Sequence, residues 1–487
     1  MQFGRLAKQW LPPALLAIVA LVAWRAANRA DFGAISAQDV TYEATLQSPV
    51  LSARRVPLTL RAPVNDSLIF DGVNQILEQT PSEQVCLAVR NGDRVLGTPR
   101  EIEGGLVPAS NQKLLTTYTA LETLGPDFTY NTRVAVTALI NDGVLDGDLY
   151  FIGDGDPFLF TDDWLAQYEV VDGRSYTRLE TLADKVAATG LTTINGSVVG
   201  DESLYDSIRY GPWDNRLIVQ KQSGPLSALT VNEGFIDWPA TFRDSPRPRR
   251  ETTNPPEHAA SVFNQLLQER GITITGAPTS GLAPETLVEV ESIRSPSLLE
   301  TVTHINSYSS NLGAELLLKR IGLAQVGQGT TEAGAAAMAT FLTEQGIPMD
   351  DVQVFDGSGL SEADRLTCAA LAEILVRTGP TSELGTSLSI AGQRGSLTTR
   401  FVDTPAEGLV LAKTGTLRGV QALSGYVNSA VPTDLGAYVT FAYIINDDEI
   451  IEDEAVKALQ DPFVSALTRY PAGPSVDQLS PLAALTN

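Results

Sequence analysis

Apolar and polar positions alternate along the chain in two rhythms. Residues 66–79 place Leu68, Ile69, Val73, Ile76 and Leu77 at helical spacing. The apolar run 85–89 reads as a strand, Asn91-Gly92 as a hairpin turn, and Arg94-Val95-Leu96 as the start of a returning strand. A helix over 111–124 follows, so the domain opens as a mixture of helix and sheet.

After Gly125-Pro126 the rhythm shortens. Strands are expected at 133–139, 145–152, 194–199 and 272–274, with helices at 179–188 and 255–269, the latter opened by Pro255-Pro256 and closed by Gly271. The stretch 127–285 is therefore expected to be a largely β insertion, with the helix from Pro255 at its border. From 287 onward helical periodicity returns over 298–307, 312–321, 332–345 and 368–378, followed by strands at 409–412, 423–427 and 436–445. The pattern divides the chain into an N-terminal segment (1–30), a linker (31–60), a main domain in two parts (61–126 and 286–470) around the insertion (127–285), and a tail (471–487) expected to be disordered.

At 487 residues the chain can bury a large core, and its 43 % hydrophobic content is ordinary for a globular protein. The net charge of −24 opposes binding to nucleic acid or anionic lipid. Arg5 and Lys8 precede an apolar run from Trp10 to Trp24, with Arg25 and Arg29 beyond it. That arrangement is an export signal, either cleaved or kept as an anchor, and it is the chain's one expected link to a membrane. Cys86 and Cys368 could pair, but each sits in an apolar context, and buried free thiols are the default expectation. Two histidines, His258 and His304, leave little for a His-based triad or a zinc site. Gly153-Asp154-Gly155-Asp156-Pro157 lacks the lysine of a phosphate loop and the ligand spacing of an EF-hand, and reads as a tight connection.

The candidate chemistry begins at Ser110 and Lys113. Three residues apart on a helix, a hydroxyl and an amine share one face. Serine needs an adjacent base to act as a nucleophile, and a lysine becomes that base when burial or a nearby positive charge lowers its pKa. Alone, the pair reads equally well as a helix cap with a lysine one turn later. Two further patterns change the balance. Ser309-Ser310-Asn311 is the chain's one Ser-x-Asn, and Lys413-Thr414-Gly415 its one Lys-Thr-Gly. Each alone reads as a cap or a turn, but together and in this order they form the motif set of serine β-lactamases and penicillin-binding proteins.

On these motifs the chain resembles the D-alanyl-D-alanine carboxypeptidase/endopeptidase family, the class C low-molecular-mass penicillin-binding proteins. The likeness extends through Gly155-Asp156-Pro157, Asn254-Pro255, Ala314-Glu315, Asp356-Gly357-Ser358-Gly359-Leu360, Thr416-Leu417 and Ser424-Gly425-Tyr426-Val427, and spans about 60–465. It departs at Ser310, where many relatives carry an acidic residue. The resemblance implies an α+β fold: a β-lactamase/transpeptidase-like domain interrupted between its first two motifs. The nearly 200 positions from Ser110 to Ser309 favour this family over simple β-lactamases.

It also implies an activity and a set of roles. The enzyme would be a serine-type D-Ala-D-Ala carboxypeptidase or endopeptidase of peptidoglycan stem peptides, acylated by β-lactams, with no metal or cofactor. Ser110 would be the nucleophile and Lys113 its base. Ser309 would relay a proton, Asn311 would bind the substrate backbone, and Lys413 would supply positive charge. Thr414, Gly415 and Thr416 would hold the substrate, with the N–H groups of Ser110 and Thr416 as the oxyanion hole. Asp201, in a segment similar to one near the family's cleft, would meet the third residue of the stem peptide. The protein is expected in the periplasm or cell envelope. A serine β-lactamase and a catalytically silent cell-wall binding protein are the competing expectations.

Overall fold

The structure is a computed structural model that describes residues 17–25, 57–78, 83–96, 100–166, 175–238, 250–430, 437–447 and 453–471. Residues 17–25 are helical, and no described helix is long and apolar enough to cross a membrane. The rest of the N-terminal segment and of the expected linker, the Pro/Arg-rich stretch up to 249, and the tail from 472 lie outside the described residues. Everything below concerns the compact unit Val64–Gly473.

Its frame is a six-stranded antiparallel sheet in the order Ser389–Ile390, Val410–Leu417, Val420–Asn428, Tyr438–Asn446, Val85–Asn91, Arg94–Val95. Period-two alternation sorts its side chains onto two faces. Val85, Leu87, Val89, Leu423, Phe441 and Tyr443 join a core on one side, with Ile69 and Val73 of the helix Pro57–Glu78 and Phe463 and Val464 of Asp453–Leu467. Cys86, Ala88, Ala422, Tyr426 and Ile444 face the other way, into a larger core shared with the helices Gln112–Leu124, Leu298–Tyr308, Asn311–Val326, Thr331–Glu344 and Cys368–Thr378. Helices on both faces of one sheet make the α+β architecture. Gln112–Leu124 lies inside the larger core, with every residue from Gln112 to Leu121 buried. Its weak amphipathic pattern follows from that position.

The inserted region enters and leaves through one antiparallel pair of strands, Asn131–Val136 and Val288–Arg294, paired from Asn131↔Arg294 to Val136↔Val288 with one register shift between Glu289 and Glu291. Residues 288–294, expected in the main domain, therefore belong to the insertion's five-stranded sheet. The helix Pro255–Glu269 packs there too, with Leu179–Ala188, so the region mixes helix and strand rather than being largely β. The expected strands 145–152 and 194–199 are each broken in two. The breaks face each other: a Cβ on Gly196 would lie 2.3 Å from the Gly147 carbonyl oxygen, so only glycine lets the two chains cross this closely. A last segment of the insertion packs Tyr205, Trp213, Leu217 and Leu226 onto Leu312 and Leu316 of the main domain. Buried Lys319 pairs with Asp206 across the same boundary at 2.7 Å. Arg320 pairs with Asp154, which gives the Gly-Asp-Gly-Asp-Pro loop a structural partner.

One expectation is reversed. Cys86 and Cys368 form a disulfide, with Cα atoms 5.8 Å apart. Alternation turns Cys86 toward the helical core, and Cys368, the first residue of Cys368–Thr378, meets it there. The link closes a loop of 282 positions, which restricts the unfolded chain. Reduction, or Cys86→Ala combined with Cys368→Ala, is expected to lower stability by about 2–4 kcal/mol. Scanning calorimetry with and without reductant measures the accompanying fall in Tm; an unchanged melting curve would contradict it.

Candidate active site

Ser110 sits in a single 3-10 turn, Ala109–Asn111, that leads directly into Gln112–Leu124. Ala109 has φ 46°, a left-handed conformation that costs a non-glycine residue on the order of 1–3 kcal/mol. Ser309 also has a left-handed backbone (φ 60°), at the C-terminus of Leu298–Tyr308. Ser310 then caps the next helix by accepting from Gly313 N at 3.1 Å. Asn311 is that helix's first residue. Lys413 lies inside the strand Val410–Leu417, rather than at its end as expected.

Four elements thus converge. Lys113 Nζ lies 2.9 Å from Ser110 Oγ, 2.7 Å from Asn311 Oδ1 and 2.6 Å from the Ser358 carbonyl oxygen. Asn311 Oδ1 and the Ser358 carbonyl can only accept. A neutral amine therefore spends both hydrogens on them and turns its lone pair to the Ser110 hydroxyl. Burial draws the Lys113 pKa down to about 7, against the opposing pull of Asp356 and Glu315. Lys413 is buried too, and its pKa falls well below the ordinary lysine value through burial first and the Lys113 charge second. Its Nζ donates to Ser309 Oγ at 2.9 Å and to the Thr414 carbonyl at 2.8 Å. The two lysines thus hold the two serines of the site, one each.

The strand is fastened to the nucleophile turn. Asn111 Nδ2 donates to the Lys413 carbonyl at 3.2 Å. A Cβ on Gly415 would come within 2.9 Å of the Pro108 carbonyl oxygen, so this close approach needs glycine. Strand pairing on the Ser389–Ile390 side ends at Ala412, leaving the Lys413–Thr416 edge toward the cleft without a ladder partner among the described residues. Thr414 Oγ1 lies 2.7 Å from Ser396 Oγ, and Thr416 Oγ1 donates to Gln421 Oε1 at 3.1 Å.

Sequence reasoning missed three contributors. Ser358 and Gln222 act through backbone carbonyls, the latter accepting from Asn311 Nδ2 at 2.7 Å, and no side-chain motif announces a carbonyl. Asp356-Gly357-Ser358-Gly359 did stand out in the sequence, without a role. Ser396 comes from a loop with no distinguishing pattern. Asp201 is buried, and its carboxylate accepts from Ser203 N and Ala283 N at 2.7 and 2.8 Å, which holds a turn of the insertion beside a cavity that it also lines. His304 packs among Phe158, Tyr176 and Tyr308.

The model of the D-Ala-D-Ala carboxypeptidase 3 (S13) family matches residues 98–246 and 244–470. The D-alanyl-D-alanine carboxypeptidase of Actinomadura sp. (strain R39) is 29 % identical over 433 residues, covering 73 % of this chain and 78 % of that protein. Carboxypeptidase DacB of Mycolicibacterium smegmatis is 29 % identical over 367 residues, covering 72 % and 74 %. Penicillin binding protein 4 (dacB) of Haemophilus influenzae superposes with a TM-score of 0.66 at 20 % identity, over 82 % of this chain and 98 % of that structure, and has the same transpeptidase-like fold. A shared fold, and a family match across most of the chain that takes in all three motifs, lead to one conclusion: the chain belongs to the D-Ala-D-Ala carboxypeptidase 3 family of serine peptidases.

Proposed function

We propose that Ser110 cleaves the bond between the two terminal D-alanines of peptidoglycan stem peptides through an acyl-enzyme, with Lys113 as its base. The observation that carries this reading is the lysine amine held by two pure acceptors with its third direction on Ser110 Oγ. The Ser110 oxygen attacks the carbonyl carbon of the penultimate D-alanine, and its proton passes to Lys113 Nζ. The tetrahedral oxyanion is held by the N–H groups of Ser110 and Thr416, each worth about 3–4 kcal/mol in such sites. Collapse breaks the C–N bond, and the proton held by Lys113 Nζ passes to the leaving amine through the hydroxyl of Ser309, which lies against Lys413. Water then attacks the ester, releases the shortened peptide and restores Ser110.

Asn311 keeps one amide hydrogen on the Gln222 carbonyl and has the other for the substrate backbone. Thr414 and Thr416 bind the terminal carboxylate, and Gly415 lets the strand lie close to the nucleophile turn. The incoming carboxylate supplies the negative charge that favours the ammonium form of Lys413. A cavity of about 510 Å³ lined by Ser396, Thr399, Thr404, Thr414, Thr416 and Gln421 adjoins these threonines. It offers room for a leaving group larger than D-alanine, which supports endopeptidase action on cross-linked peptides beside carboxypeptidase action. The disulfide supports export to an oxidising compartment, the cell envelope, where peptidoglycan lies.

Incubation with benzylpenicillin is expected to add one penicilloyl group by intact-mass spectrometry, absent from Ser110→Ala. Hydrolysed drug without an adduct would favour a β-lactamase, and neither product would favour a silent binding protein. Lys113→Ala is expected to slow acylation by about 10²–10⁴-fold; near-normal acylation would remove the lysine as base. The base is the neutral amine, whose population is lost as pH falls through about 7. Stopped-flow acylation rates are therefore expected to drop about tenfold per pH unit below that value and to level off above it.

A further inference from the structure

Glu315 is fully buried one helical turn beyond Asn311, on the same face of Asn311–Val326. One of its oxygens, Oε1, accepts from Gly357 N at 3.1 Å and from Ser358 N at 2.8 Å. The other, Oε2, is buried with no hydrogen-bond partner. The Ser358 carbonyl is an acceptor of the Lys113 amine, so one residue, Ser358, joins the carboxyl group, through its N–H, to the base, through its carbonyl. From one helix face Asn311 accepts one lysine N–H directly, and Glu315 holds the residue whose carbonyl accepts another.

The loop that carries this peptide is held on every side. Thr116 Oγ1 donates to the Gly357 carbonyl at 2.8 Å. Asp356 accepts from Gly359 N, Ser361 N and Trp213 Nε1 at 2.6 to 2.9 Å. A Cβ on Gly357 would lie 2.6 Å from the Ala314 carbonyl oxygen, so the loop rests directly on the helix that bears Glu315. A buried carboxyl group with an unpartnered oxygen is a costly way to hold two backbone N–H groups, since a neutral amide would serve.

We propose that Glu315 is a positioning residue for Lys113, holding Ser358 by its N–H so that the carbonyl of the same residue aims the lysine lone pair at Ser110. The inference rests on the assignment of Lys113 as the base. The charged and titratable groups facing the pair are Asp356 and Asp364 beside Glu315, and Lys413 beside Lys113. Burial and Asp356 push the Glu315 carboxyl up to about 8, and each of Glu315 and Lys113 opposes the shift of the other.

The test compares the pH dependence of Ser110 acylation by benzylpenicillin in the full chain, in Glu315→Gln and in Glu315→Asp. Glutamine retains the acceptor, and a carboxyl titrating at about 8 is already neutral along the acid limb. The glutamine variant is therefore expected to keep the wild-type limb and plateau. Aspartate is one methylene short of the clamp. Its plateau rate is expected to drop about tenfold. An aspartate variant with the wild-type plateau, or a glutamine variant as slow as the aspartate variant, overturns the clamp. Should the glutamine variant show no cooperative melting, the aspartate plateau decides. Absence of any acylation in the wild-type chain would instead overturn the assignment of Ser110 and Lys113.

Discussion

The structure depends on a buried amine. An ammonium in the middle of a protein is costly to desolvate, and at Lys113 that cost brings the amine's pKa down to about 7. Burial alone would yield an amine pointing anywhere. Here two carbonyl-type oxygens, from Asn311 and Ser358, take its hydrogens and leave one direction, toward Ser110. Each partner comes from a different element, so the lysine is placed only when the helices and the Asp356–Gly359 loop are packed together.

That packing explains the rest of the frame. The helix that follows Ser110 is enclosed in the core, the Lys413 strand is fastened to it through Asn111, and the six-stranded sheet is tied to the helical layer by Cys86–Cys368. The insertion also reaches the site. The Gln222 carbonyl takes one amide hydrogen of Asn311, which fixes that amide with its oxygen toward Lys113, and Trp213 donates to Asp356 behind the loop. The inserted region is thus one wall of the catalytic constellation as well as an appendage to the domain.

Much of this was legible in the chain. Periodicity located Leu179–Ala188, Pro255–Glu269 and Cys368–Thr378 at their observed bounds, because caps and terminal glycines mark helix ends locally. It failed at 145–152 and 194–199, where the breaks answer to each other across a close crossing that no local window contains. It also misjudged the cysteines: their apolar neighbours indicated burial correctly, but pairing depended on which sheet face Cys86 occupies and which helix end meets it.

By itself the sequence determined which side chains were available for chemistry, in what order, and that they resemble one family, because side-chain identity and motif spacing are properties of the chain. Tertiary structure alone decided the lowered pKa of Lys113, the oxygens that surround its amine, and the hydrogen bonds of the Ser358 and Gln222 carbonyls and of Glu315. Desolvation and hydrogen-bond direction arise from groups far apart in sequence, and backbone atoms carry no letter that a motif could read.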